Sequence, residues 1–159
     1  DVEYAKKKGI YIINTPFSSS KSVAELVFAH FFTISRFLHD SNRKIPLIKK
    51  SKLYELKKEY TMATELSGKI LGVVGFGSIG IEKIKIVISL GMNILIYDPF
   101  VKKSKTITLT FFNKKQLDFN LKTSSFKDVI KNSDYISLHV PKQEKYLIGK
   151  KEFSLMKDG

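Results

Sequence analysis

Cysteine and tryptophan are absent from the 159 residues, arginine occurs only at Arg36 and Arg43, and proline occurs four times. Without cysteine there is no disulfide, no thiolate metal site and no thiol nucleophile. No apolar run reaches the ~18 residues that a membrane-spanning helix needs, so no membrane partner is expected. The opening Asp-Val-Glu-Tyr carries neither an initiator Met nor a charged-then-apolar leader, which suggests a cytoplasmic fragment of a longer protein. His30, His39 and His139 are scattered, and with no cysteine they make no metal-ligand spacing.

Acidic residues are few beside basic ones, 15 against 28, for a net charge of +13. That balance alone points to nucleic acid. Almost all of the positive charge is lysine, however, and arginine is the residue that clamps phosphates and reads bases. Lys, Ile, Asn, Phe and Tyr account for 69 residues against 19 for Gly, Ala, Arg and Pro. The contrast separates AT-rich from GC-rich codons, so compositional drift explains the charge better than a nucleic-acid surface. A nucleic-acid partner is not expected; the lysine-rich 39–67 segment would be its place.

Along the chain, 1–9 reads as a helix end with Lys6 to Lys8 near its C-terminus and Gly9 as stop. The apolar, β-branched 10–14 reads as a short buried strand, and 15–22 as a turn. A helix over about 23–38 follows, with Ser22 and Glu25 as a capping box. Its main apolar stripe is Val23, Leu26, Val27, Phe31, Ile34, Phe37 and Leu38, with Phe28 and Phe32 as a second row. Two apolar sides predict burial on two sides, between domains or between subunits, and with it a homodimer or higher homo-oligomer formed through this helix. Residues 39–67 read as a mostly solvated connection, with a possible short amphipathic helix at 53–60. Beyond the centre, 107–112 and 117–123 alternate as a hairpin, 126–133 reads as a helix, 134–141 as a strand, and 151–159 as a helix with a glycine stop.

The centre carries the chemistry. A buried strand at 69–75 runs into Gly-Phe-Gly-Ser-Ile-Gly at 75–80, a helix at 81–91 and a second strand at 93–98 closed by Pro99. This is a β-α-β unit with a G-x-G-x-x-G turn. Gly75 makes the tight turn, Gly77 lets backbone approach a pyrophosphate, and Gly80 lets helix pack on strand. The helix N-terminus then meets the phosphates. Asp98 ends the second strand, where a carboxylate accepts ribose hydroxyls. It favours NAD over NADP, although Lys102 and Lys103 lie close by in sequence. The fold class is α/β, a doubly wound parallel sheet of Rossmann type.

The segments 14–26, 65–80, 90–99, 133–141 and 149–159, in that order, resemble the D-isomer-specific 2-hydroxyacid dehydrogenase family. Within it, 14–30 and 36–43 look most like the branch that oxidises 3-phosphoglycerate to 3-phosphohydroxypyruvate in serine biosynthesis. The resemblance implies that residues 1–20 are the end of a substrate domain and 21–159 an incomplete NAD-binding domain. It implies an NAD-dependent oxidoreductase acting on a small-molecule D-2-hydroxy acid. It places Gly75, Gly77, Ser78, Ile79 and Gly80 at the pyrophosphate, Asp98 at the ribose, and His139, Val140 and Pro141 beside the adenine half. Many family members carry Arg or His where Ser78 stands, so one charged contact is missing. The family's catalytic Arg, Glu and His lie beyond Gly159, and no catalytic residue is assigned within the chain. A non-catalytic NAD-sensing module is the alternative that this implies.

The remaining candidates have plainer readings. His139 sits at the strand end, far from where the nicotinamide should lie, and is not taken as a catalytic base. His30 reads as a hydrogen-bonded core or interface histidine, and His39 as a helix-end residue favouring the negative dipole terminus. Asp128 and Asp134 do not read as a paired acid and base, and Phe111 with Phe112 reads as hairpin packing rather than a base-stacking platform.

Overall fold

A computed structural model describes residues 1–101, 103–111 and 113–158. Lys102, Phe112 and Gly159 lie outside them, and with them one of the two lysines close to Asp98 in sequence, half of the aromatic pair and the last glycine stop.

Ile70–Val74 (β1) is the middle strand of a parallel sheet of order β2–β1–β5, with Asn93–Tyr97 as β2 and Tyr135–Leu138 as β5. In register, Val74 lies between Tyr97 and Leu138. A strand flanked on both edges and covered on both faces has no place for a polar side chain, and β1 has none. Alternate residues point to opposite faces. At Gly72 an added Cβ would strike the Ser133 hydroxyl, which sits just past Phe126–Asn132 (α6). Val73 faces the other way, toward Gly80 of Ser78–Ser89 (α5). Helices therefore cover both faces, and Ser20–Ser35 (α2) lies against α5. Leu71, Val73, Ile84, Val87 and Ile96 form the centre of the core, with Phe28 and Phe31 reaching in from α2.

Ser104–Thr110 (β3) and Gln116–Lys122 (β4) form an antiparallel hairpin with Ile107 opposite Phe119. Ile107 and Leu109 point inward and are buried, while Thr106, Thr108 and Thr110 between them are exposed. The hairpin's exit seats on β2: the Ser124 N–H donates to the Ile96 carbonyl at 2.6 Å, and Thr123 bridges Ile96 in parallel. The hairpin thus occupies the edge that a third parallel strand would take.

Several expectations are corrected. Residues 10–14 form no ladder among the described residues, and Tyr11 and Ile13 are almost fully exposed. Val2–Lys7 (α1) before them buries nothing either. Strand propensity without a partner edge leaves an extended segment and nothing more. The helix expected from 23 has the expected length but starts at Ser20, because Ser18 folds back on the Thr15 carbonyl and delivers Ser19 already in helical geometry. Ser22 and Glu25 fall inside α2, and no capping box forms there. The helix stops at Ser35, where Phe37 turns left-handed at φ 52° and the Thr64 N–H takes the Ser35 carbonyl at 2.9 Å.

Phe28 belongs to the inner face of α2, packed edge-on against Phe31, which in turn meets Tyr135. The outward apolar residues are Leu26 and Ile34, with Phe32 at the edge, and His30 is exposed rather than a core histidine. The 39–67 connection is more ordered than expected. Leu38–Lys44 (α3) and Leu53–Glu59 (α4) are joined by Lys44, which bridges Asp40 at 3.0 Å and Glu59 at 2.8 Å. His39 lies in the first turn of α3, the positive end of a helix, so the expected dipole role is reversed. The helix expected at 151–159 is the short Lys150–Phe153 (α7).

Candidate functional site

The G-x-G-x-x-G turn leaves β1 at its carboxyl end and opens α5. Gly75 has φ 98°, and an added Cβ there would strike the His139 carbonyl. Only glycine suits both the left-handed turn and the close approach of the strand leaving β5. At Gly80 a Cβ would strike the Gly75 carbonyl, so this position sets how closely α5 sits on the turn. Gly77 is different. It is exposed, its φ of −77° suits any residue, and none of the described residues comes within 4 Å of the place a Cβ would occupy. The space above Gly77 is open, and it faces the N–H groups of Ser78, Ile79 and Gly80, which begin α5 with no helical carbonyl ahead of them.

Asp98 follows β2 and ties the two halves of the site together. One carboxylate oxygen accepts the Phe76 N–H at 2.7 Å and the other accepts the Phe100 N–H at 2.8 Å. Each oxygen keeps a lone pair for a further donor. Phe76 itself is buried beneath the turn.

On the other side, β5 continues into His139, whose N–H donates to the Val74 carbonyl at 2.8 Å. Val140 reaches within 3.2 Å of the Cβ position of Gly75. Pro141 follows, exposed. Gly75, Gly77, Ser78, Ile79, Gly80, Asp98, His139 and Val140 thus lie around one turn, at the carboxyl ends of all three parallel strands. In doubly wound folds this is where ligands sit.

The His139 ring pairs with the Ser137 hydroxyl at 2.8 Å. Burial, helped by the positive charge of Lys83, pushes its pKa down to about 4. A histidine that stays neutral across the physiological range is a poor proton shuttle there, in keeping with a structural or cofactor-flanking role rather than that of a catalytic base. Asp134 is structural too. It accepts the Ile70 N–H at 2.7 Å and pairs with Lys157 at 2.8 Å, and the lysine chiefly lowers its pKa. Asp128 accepts the Ser125 hydroxyl at 2.6 Å at the start of α6. No group of His, Asp and Glu among the described residues could hold a metal ion.

Two features escape a sequence reading. Lys83 lies on the buried side of α5, fully inaccessible and, among the described residues, with no hydrogen-bond partner for its ammonium. Burial pushes its pKa down to about 7. Helical spacing from Gly80 and Val87 could have placed it inward, since it shares their face. The second is a cleft of about 510 Å³ at the α5 N-terminus, lined by Gly77 and Ser78 but also by Ser20, Lys21 and Lys105. Nothing in local spacing brings β3 or the start of α2 to that turn.

The residues fit a dinucleotide. The open volume at Gly77, the unpaired amides of α5 and a carboxylate at the end of β2 are the three contacts that its phosphates and ribose require.

Residues 28–159 match the family model for the D-isomer specific 2-hydroxyacid dehydrogenase, NAD binding domain. A hydroxypyruvate reductase of Thermotoga maritima is 35% identical, aligned over 100% of this chain and 46% of its own length. A D-3-phosphoglycerate dehydrogenase of Archaeoglobus fulgidus is 34% identical over 100% of the chain and 28% of its own length. Among solved structures, D-lactate dehydrogenase from Aquifex aeolicus complexed with NAD and lactic acid superposes with a TM-score of 0.67 at 32% identity, covering 100% of this chain and 44% of that one. The chain thus spans less than half the length of these relatives.

Proposed function

The chain belongs to the D-isomer-specific 2-hydroxyacid dehydrogenase family and carries its NAD-binding domain, and from that premise we propose that the protein oxidises a D-2-hydroxy acid with NAD, 3-phosphoglycerate first among the candidates. The observation that carries the reading is the turn itself: an open α5 N-terminus at Gly77, tied through the Phe76 N–H to a carboxylate at the end of β2. The choice of 3-phosphoglycerate, and with it a place in serine biosynthesis, is supported by relatives named D-3-phosphoglycerate dehydrogenase at 34% and 33% identity. A hydroxypyruvate reductase at 35% keeps other small hydroxy acids in the test.

NAD, when bound, supplies the hydride acceptor. The chain's own residues bind and orient it. The amides of Ser78 to Gly80 hold the phosphates, Asp98 accepts the ribose hydroxyls, and Val140 and Pro141 line the adenine side. Because Asp98 is already fixed by two backbone N–H groups, it presents its free lone pairs without having to reorganise. Residues 1–19 bury nothing, which supports assigning the start of the chain to a substrate domain, with the boundary at residue 20, where α2 begins. The outward Leu26 and Ile34 of α2 support a homodimer formed through that helix.

The test is turnover of the whole protein with NAD on D-3-phosphoglycerate, D-lactate and D-glycerate, together with NAD and NADP titrations of Asp98→Ala. We expect phosphoglycerate to give the highest kcat/KM. The variant should bind NAD at least tenfold more weakly and discriminate less against NADP, since a lost charge-assisted contact is worth roughly 1.5–3 kcal/mol. Turnover on another hydroxy acid alone would replace the substrate. Unchanged NAD binding in the variant would overturn the ribose assignment.

A further inference from the structure

The glycine turn and the first turn of α5 contain no cation, from Gly75 through Glu82. Among the described residues, the cleft beside them contains two. Lys105 reaches over from β3, its ammonium 5.3 Å from the centre of the Phe76 ring, and Lys21 stands in the first turn of α2. Neither forms an ion pair among the described residues. The carboxylate that shares the cleft, Glu82, is already paired with Lys85 one helical turn along. Ser20 lines the same cleft, 5% exposed, its buried hydroxyl without a hydrogen-bond partner among the described residues. A buried polar group left unpaired costs about 1–3 kcal/mol, so its position at the wall of a cleft marks a partner that is not part of the chain. Residues of the helix N-terminus, both lysines and Ser20 line one volume of about 510 Å³. Their common complement is a compact polyanion with several acceptor oxygens.

We propose that Lys105 and Lys21 clamp the pyrophosphate of the dinucleotide against Gly77 and Ser78, with the Ser20 hydroxyl donating to one of its oxygens. The inference rests on the reading of the cleft as the dinucleotide site. It makes the β3–β4 hairpin and the start of α2 part of cofactor binding, and it supplies from outside the turn the charge that Ser78 does not carry. The two lysines come from two different elements, α2 and the β3–β4 hairpin, so the clamp needs both in place.

The experiment is titration of the protein with NAD across a series of salt concentrations, for the wild type, Lys105→Gln, Lys105→Arg, Lys21→Gln and Ser20→Ala. Each Lys→Gln variant should raise Kd about tenfold at low salt and make Kd less sensitive to salt, because one screened charge contact has gone. Lys105→Arg should recover most of the affinity and the salt sensitivity. Ser20→Ala should raise Kd a few-fold without touching the salt dependence. Unchanged Kd in both Lys→Gln variants overturns the clamp, as does a raised Kd with the wild-type salt dependence, which would mean that the lysines act only through the fold. A wild type that binds no NAD at all overturns the dinucleotide reading and the clamp with it, a result separate from either of those.

Discussion

Two apolar pentapeptides of this chain, Ile70–Val74 and residues 10–14, look alike in sequence and have opposite fates. In the first, Leu71, Val73 and Val74 are completely buried, hydrogen-bonded to a strand on each edge. In the second, Tyr11 is 97% and Ile13 87% exposed, with no ladder at all. Hydrophobicity and β-branching are shared, so they do not decide the outcome. What differs is the presence of partner edges. β1 is followed at once by a tight turn, a helix and a second strand that must return parallel beside it, and the hand of that crossover leaves little choice. The 10–14 segment has only a short exposed helix before it and a turn after it. A strand is a property of a pair, and only the first of these segments brings its pair along.

The sharpest break of this comparison lies at Gly75. Gly75→Val should cost about 3 kcal/mol or more, since it sets a β-branched residue at φ 98° and drives its Cβ into the His139 carbonyl. Urea unfolding followed by circular dichroism reads the cost directly. A loss below ~1 kcal/mol would mean that the turn is not held between β1 and β5 as described.

A smaller effect, of opposite sign, comes from Lys83. It occupies the same core as β1 but with the wrong chemistry, an ammonium with no partner. Its pKa falls from 10.5 in the unfolded chain to about 7 in the fold. Below pH 7 both states are protonated and the fold carries the full penalty. As pH rises from 7 toward 10.5 the folded amine is neutral while the unfolded chain still holds its proton, so the penalty fades. Lys83→Met should therefore stabilise the protein by about 1–4 kcal/mol at pH 6, and by much less at pH 10. Unfolding midpoints at the two pH values check it. A gain that does not shrink with pH would remove burial of the charge as its cause.

The same contrast explains what could be read in advance. The β-α-β unit, its three glycines and Asp98 were legible because the strand, turn, helix and strand run on without interruption in sequence, even though Asp98 meets Phe76 and Gly75 meets His139 across the fold. The hairpin was legible from alternation, and the Ile107–Phe119 register agrees with it. The start of α2 was missed by three residues because a serine turn beginning at Thr15 competes with the capping box at Ser22. α3 was missed because an ion cluster between Asp40, Lys44 and Glu59 helps order a segment whose local pattern is merely polar. Lys105 and Ser20 could not be placed at the glycine turn from sequence, since the hairpin and α2 reach it only through tertiary packing.

The smallest effects belong to the apolar residues that the fold leaves outside. In this chain by itself, Ile13→Ser should change unfolding stability by no more than about 0.5 kcal/mol, because a side chain 87% exposed has almost no contacts to lose; in the whole protein, a substrate domain that includes residues 1–20 would cover it. The pair Leu26→Glu and Ile34→Glu should be equally quiet in unfolding, since both side chains stand outward on α2 at 57% and 66% exposure. The two sets part company on a size-exclusion column. Ile13→Ser should elute with the wild type, whereas the α2 pair should elute as a monomer if that face joins two copies. Phe28, which faces the core, is unsuitable for this test, because a charge there would unfold the chain before it separated a dimer. A stability loss above ~1 kcal/mol for Ile13→Ser would show that residues 10–14 do find a partner edge, and the contrast with β1 would collapse. An unchanged elution volume for the α2 pair would leave that face exposed for another reason and remove the dimer.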